Sequence, residues 1–303
     1  MDPTTVSIAL CTYNGRLFLP EQLDSIIDQT HQQLEIIIID DCSTDGTWQI
    51  IEEYAAKDSR IKYYKNETNL GFNKNFERAI SLCTGYFIAI SDQDDIWEPF
   101  KVERLLANIG NNWLIFSNSA LIYHNGAVKQ GKLLYKFKYG KRNYRSILLQ
   151  NFVTGHTCLM TREFVQRIIP FPANGYYDWW IGFIALYHNK LVYLKEMLTK
   201  YRVHENSVTQ IEFNDEERQR IHFNHSITML DSFLQYKNLQ ADGSKFIKKV
   251  RDAYIKKQER SGGFNFALMH IVGKYYRELF PNMKERTFLS KYNYARKFAR
   301  RFT

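Results

Sequence analysis

Residues 34–47 read LEIIIIDDCSTDGT. Leu34–Asp40 is a short, near-continuous β-branched run, broken by Glu35 and closed by Asp40, and reads as a parallel strand covered on both faces. It ends in carboxylates and hydroxyls. In an open α/β sheet, ligands sit outside the carboxyl ends of the strands, so this stretch sets both the fold class and the place to look for a site. Asp41, Ser43, Asp45, Gly46 and Glu52 also match the ligand spacing of a calcium-hand loop, but that loop must follow a helix. A strand precedes it here, so the calcium reading fails. Asp45 is placed to cap the next helix, and Asp41 to face a base.

Outward from this stretch the first half of the chain alternates. Strands are expected at Thr5–Leu10, Arg60–Lys65, Tyr86–Ile90 and Trp113–Asn118, with helices near 17–29, 47–56 and 100–109. A further helix carries Phe72, Phe76, Ala79 and Ile80 on one stripe. The pattern is α/β: a mostly parallel, nucleotide-binding sheet flanked by helices and followed by a helical C-terminal extension. We divide the chain into an α/β domain at 1–210 and a basic, aromatic helical region at 211–303. Within the first, KLLYKFKYGKRNYRS (Lys132–Ser146) reads as a mobile loop, and within the second RSGGFN (Arg260–Asn265) reads as a helix break.

Composition bounds the rest. The 303 residues are 45% hydrophobic and 24% charged, which suits one or two globular domains. No apolar run is long enough to span a bilayer, and the N-terminal MDPTTVSIAL lacks the features of a signal peptide. Cys11, Cys42, Cys83 and Cys158 show no paired or zinc-like spacing, as expected of free thiols in a cytosolic protein. The net charge of +9 is uneven. Residues 237–303 hold 17 Lys and Arg against 5 Asp and Glu, a net of +12, whereas the remainder is slightly acidic. An anionic membrane surface is the expected partner of such a tail, with a solvated helical face as the plain alternative. A nucleic-acid binder would leave the acidic strand ends unexplained.

Four constellations carry chemistry. CTYNG (Cys11–Gly15) ends strand one, and Thr12, Tyr13 and Asn14 offer hydroxyl, amide and an aromatic face to a nucleoside. NLGFNKN (Asn69–Asn75) opens a helix whose N–H groups favour anions, with Lys74 placed for a diphosphate. YFIAISDQDDIWEP (Tyr86–Pro99) runs a strand into Asp92, Asp94 and Asp95, which would repel one another unless a cation joined them. Hard oxygen ligands of this kind suit Mg²⁺ or Mn²⁺ on a nucleotide diphosphate. Asp95 reads as a brace or cap. GYYDWWIGFIAL (Gly175–Leu186) sets Asp178 among apolar and aromatic residues, where desolvation favours a general base. Trp179 and Trp180 could stack on sugar, or fill core.

In this order and spacing CTYNG, IIIDDCSTDGT, NLGFNKN and SDQDDIWEP resemble family 2 nucleotide-sugar glycosyltransferases of the GT-A fold. The resemblance covers about residues 5–209. SDQDD before IW, and later YYDWW, is most similar to the bacterial rhamnosyltransferase branch. The resemblance implies metal-dependent, inverting transfer from a dTDP- or UDP-sugar to a lipid-linked or surface glycan, by an enzyme peripheral to the cytoplasmic face of the cell membrane. It implies that Thr12, Tyr13 and Asp41 hold the nucleoside, that Asp92 contacts ribose or sugar, that Asp94 binds metal and that Asp178 is the base. His204, in YRVHENSVT, would complete the metal or diphosphate site. TGHTCLM (Thr154–Met160) departs from the pattern: His156 stands where this acceptor-side segment usually has a small or polar residue. A sugar nucleotidyltransferase is the rival reading, but CTYNGRLF has no glycine-rich, lysine-bearing phosphate loop.

Overall fold

A computed structural model describes residues 4–135, 137–140, 142–203, 215–259, 264–283 and 287–300. The chain forms two compact units: Met1–Tyr135 with Val153–Phe171 and His188–Gln210, and Lys136–Phe152 with Pro172–Tyr187 and Ile211–Thr303.

The first unit is built on one sheet. Strands β1 (Val6–Thr12), β2 (Leu34–Asp40), β3 (Ile61–Lys65) and β4 (Phe87–Ser91) lie in the order β3-β2-β1-β4, all parallel. Helices α1 (Leu19–Ile27), α2 (Thr47–Ala55) and α3 (Phe72–Leu82) connect them. Strand β2 is buried along its whole length, as its composition demands. Each of Ile36–Ile39 is at most 1% exposed, and each such burial is worth about 1.5–3 kcal/mol. Of the two charged residues in β2, Glu35 is satisfied by the hydroxyls of Ser7 and Thr84, the amide of Thr84 and the ammonium of Lys62.

Beyond β4 the sheet becomes mixed. The two-residue β5 (Ile96–Trp97) precedes α4 (Lys101–Ile109), and β6 (Leu114–Tyr123) pairs antiparallel with β7 (Val128–Lys132). Strand β8 (Cys158–Thr161), leading into α5 (Arg162–Ile168), is antiparallel to both β4 and β6. Strand β9 (Leu191–Val203) runs parallel to β6 and antiparallel to β5, so it separates the two in the sheet.

The second unit is helical. Helix α6 (Tyr177–Tyr187) is apolar almost all round and packs its aromatics on α7 (Asp215–Leu234): Phe183 stacks on Phe233 with ring centres 4.1 Å apart. Helices α8 (Ala241–Glu259), α9 (Phe266–Lys274), α10 (Tyr276–Leu279) and α11 (Phe288–Arg300) follow. Asn265 caps α9, accepting from Leu268 N–H while its amide donates to the Ala253 carbonyl. The stretch expected to be a mobile loop is held down in its later part. Arg142 lies 4.6 Å over Phe137 and 4.7 Å over Phe152, and Arg145 lies 4.0 Å over Phe246 while pairing with Glu278. Cation–π and ion-pair contacts supply the order that its basic, aromatic composition conceals.

Candidate active site

The parallel registers align Thr12, Asp40 and Lys65, with Leu10 beside Ser91, so the polar segments after β1, β2 and β4 emerge at one end of the sheet. Asp40 knits the first two together. It accepts from the Thr12 hydroxyl (2.9 Å) and from both the hydroxyl and the amide of Ser43. Ser43 in turn accepts from Asn14 N–H, and Asn14 Oδ1 accepts from Thr44 N–H (2.9 Å). Asn14 and Cys42 take left-handed φ values of 48° and 68° to make these turns. Tyr13 projects from the knot and is 50% exposed. Asp41 is buried, and its carboxylate accepts from Asn66 Nδ2 (2.6 Å), Leu70 N–H (2.8 Å) and Gly71 N–H (2.9 Å).

The turn after β4 carries the acids. Among the described residues, donor atoms of Asp92, Asp95 and His156 lie within 4.8 Å of one another. His156 Nδ1 is 3.6 Å from Asp92 and 3.9 Å from Asp95, while Nε2 lies 2.9 Å from Ser119 Oγ on β6. The imidazole is buried and stacked on Tyr201, 5.0 Å between ring centres. Asp95 is fully buried. Arg202 N–H on β9 donates to its Oδ1, and Oδ2 has no hydrogen-bond partner among the described residues. Burial pushes the Asp95 carboxyl up to about 7, with His156 opposing and the charges of Asp94 and Asp92 adding. For His156, burial works downward, but Asp95 and Asp92 outweigh it and raise its pKa. A buried carboxylate oxygen without a donor, beside a second carboxylate and an imidazole, fits a divalent cation of the Mg²⁺ or Mn²⁺ type.

Two buried cations brace this cluster. Lys101 Nζ donates to the His156 carbonyl (2.6 Å) and sits 3.5 Å over the Trp97 ring, with burial driving its pKa well down. The Arg202 guanidinium donates to the carbonyls of Asp94 and His124, pairs with Glu21 and lies 4.6 Å over Phe18.

A family model for glycosyl transferase family 2 matches residues 7–169, more than half of the chain. The chain belongs to that family. An uncharacterized glycosyltransferase of Methanocaldococcus jannaschii is 32% identical over 215 residues, covering 67% of this chain and 72% of the other. Escherichia coli WfgD, described as UDP-Glc:alpha-D-GlcNAc-diphosphoundecaprenol beta-1,3-glucosyltransferase, is 28% identical over 72% of this chain and 85% of its own. Among solved structures, S. aureus TarS (residues 1–349) with UDP-GlcNAc superposes with a TM-score of 0.62 over 98% of this chain and 89% of that one, at 19% identity. The fold is that of GT-A glycosyltransferases, with helices following the sheet.

The family 2 motifs land as follows. Thr12 and Asn14 use their side chains to tie loops, and Tyr13 offers the exposed ring. Lys74 forms a surface ion pair with Glu77 (2.9 Å). Asp45, expected to cap α2, stands one residue ahead of the N-cap: Gly46 takes that position in a left-handed conformation, and Asp45 accepts from the amide and hydroxyl of Thr47. Asp94, expected on the metal, stands outside the Asp92–Asp95–His156 group, and Asp95, expected as a brace, is inside it. The reason is local: Asp95 directly precedes β5 and is drawn inward by the β9 backbone. His156, expected on the acceptor side, faces the aspartates. Asp178 lies in the second unit at the start of α6, where its carboxylate accepts from Trp179 N–H (2.7 Å). Trp179 and Trp180 are buried: Trp179 Nε1 donates to the Ile147 carbonyl, and Trp180 meets Tyr236 edge-on. Their rings serve the core. His204 lies outside the described residues. Sequence reasoning missed Gln93, Lys101, Ser119 and Arg202.

Proposed function

We propose that this family 2 glycosyltransferase transfers one sugar, with inversion, from a dTDP- or UDP-sugar to a lipid-linked precursor of a surface polysaccharide. The observation that carries the reading is the meeting of Asp92, Asp95 and His156 at the strand ends where the loops bearing Tyr13 and Asp41 converge. Tyr13 gives the base a flat face, and Asp41 accepts from the N3–H of uracil or thymine. Asp92, Asp95 and His156 would hold Mg²⁺ or Mn²⁺, which when bound offsets the charge of the diphosphate leaving group. Asp178 takes the proton of the acceptor hydroxyl as it attacks the anomeric carbon, a role that rests on its motif. The first donor proposed is dTDP-L-rhamnose, from the SDQDD–IW and YYDWW motifs. A UDP-hexose or UDP-N-acetylhexosamine is the second, supported by the similarity to WfgD.

An anionic membrane surface is proposed as partner of the helical unit. Lys245, Lys248, Lys249 and Lys256 follow one side of α8 and, with His270 and the exposed Phe266 of α9, line a cavity of about 690 Å³. Each cation near an anionic surface adds up to about 1 kcal/mol. No helix among the described residues is long and apolar enough to cross a membrane.

A screen of dTDP- and UDP-sugars for metal-dependent donor hydrolysis, with EDTA and Mn²⁺ arms, tests the enzymatic reading. Turnover of one nucleotide sugar that EDTA stops and Mn²⁺ restores is expected, and full activity in EDTA would sink the metal assignment. Flotation on anionic and neutral liposomes at low and high salt tests the surface. Co-flotation with anionic vesicles alone, weakened by salt, is expected.

A further inference from the structure

Gln93 separates Asp92 from Asp94, yet its side chain does not face the acids. Its Oε1 accepts from Tyr13 N–H (2.8 Å) and its Nε2 donates to the Tyr13 carbonyl (3.0 Å). One amide side chain thus makes both bonds that a neighbouring strand's backbone would make, across 80 residues of sequence. Gly15 leaves the room. A Cβ there would meet Gln93 Oε1 at 2.1 Å and Cδ at 2.5 Å, so any larger residue would displace the Gln93 amide from its place. Gly15 itself is pinned, donating to Thr47 Oγ1 (2.8 Å), and its carbonyl starts α1 by accepting from Phe18 and Leu19 N–H. The clamp therefore joins a segment that cannot easily give way to a turn that carries the acids.

We infer that Gln93 is a positioning residue that couples the nucleoside end of the site to its cation end. The inference rests on the nucleotide-sugar reading above and deepens it. Tyr13 holds its exposed ring on a backbone that Gln93 grips from the acidic turn. When Asp92 is fixed by a cation, the adjacent Gln93 fixes Tyr13, and the two binding events strengthen each other reciprocally. A cation held without the clamp would still draw in the diphosphate, but it would no longer order the base-binding face.

The test uses the full chain, with UDP and dTDP as probes titrated calorimetrically in saturating Mn²⁺ and in EDTA. Gln93→Ala should cut the Mn²⁺-dependent gain in nucleotide affinity by about tenfold, what two hydrogen bonds of ordinary net strength are worth. Its affinity in EDTA and its melting temperature should stay near wild type, as a merely structural brace would not allow. Gly15→Ala should reduce the same gain by pushing the amide aside. Adding Gln93→Ala to Gly15→Ala should cost nothing more, because the clash and the clamp are one interaction. Gln93→Ala that keeps the full Mn²⁺ gain, or Gly15 and Gln93 effects that simply add, overturns the inference. Wild-type protein that binds neither nucleotide under either condition overturns the nucleotide reading itself, and the wild-type arm alone shows which has failed.

Discussion

His156 Nε2 lies 2.9 Å from Ser119 Oγ, so the imidazole is held by β6 on one nitrogen while the other faces Asp92 and Asp95. A hydroxyl that accepts from Nε2–H leaves Nδ1 with its lone pair toward the carboxylates, the arrangement that suits a metal-ligating histidine. Ser119 is fully buried, and Ser119→Ala removes this partner with little change of volume. It should weaken Mn²⁺ binding about 10–100-fold, read by paramagnetic resonance of free Mn²⁺. His156→Ala should weaken it at least as much. Wild-type Mn²⁺ affinity in Ser119→Ala would show that the pair only packs the core.

Asp178→Asn keeps the size of the side chain and its ability to accept from Trp179 N–H, but it cannot take a proton. Transfer should fall by about 10²–10⁴-fold while donor affinity persists. Steady-state rates beside nucleotide-binding isotherms separate the two effects, and a variant within a few-fold of wild type would make Asp178 a structural residue.

Nucleotide choice turns on Asp41. Its carboxylate already accepts three hydrogen bonds from Asn66, Leu70 and Gly71, which leaves acceptor capacity for one donor more. Uracil and thymine present N3–H there and cytosine does not. UDP and dTDP should therefore bind about tenfold or more tighter than CDP, the worth of one charge-assisted bond. Equal dissociation constants by calorimetry would remove Asp41 from the base contact.

Glu35 sets an acid limit on the sheet. Burial alone would raise its pKa, but Lys62, Ser7 and Thr84 outweigh burial and lower it to about 2 from the ordinary 4.5. A depressed folded-state value means stability that is complete above about pH 4.5 and lost as the pH falls toward 2. Glu35→Gln should cost on the order of 2 kcal/mol at neutral pH and flatten the profile across that window. Denaturant unfolding from pH 2 to 7 measures both, and a variant with the wild-type profile would assign the acid transition to other groups.

The parallel half of the sheet was legible because β2 is so rich in isoleucine and because short strand-like runs alternate with helical patterns on either side of it. Strand β9 was not, since Lys195, Glu196 and Lys200 interrupt its apolar pattern along a partly covered surface. The crowding of acids in the turn was legible, but which of its carboxylates gather beside His156 was not. Nothing in SDQDD shows that Asp95 is pulled inward by a backbone amide at Arg202. His156 had a signal in its oddity within TGHTCLM, though not its direction. Gln93 and Ser119 had none, because a glutamine or serine near a strand end is compositionally ordinary and only register reveals its partner.

Strand β9 also bears on how the protein is made. The family-matched segment ends at residue 169, before β9 begins, and β9 is the strand that β5 pairs with. Arg202 reaches from it to the carbonyl of Asp94, 108 residues earlier in the chain. A nascent chain can thus lay down its parallel strands while the ribosome is still at work, but the acidic turn stays unbraced until residue 202 has been translated. A chain that stops short of residue 202 would lack the amide and the guanidinium that hold the Asp95 carboxylate and the Asp94 carbonyl.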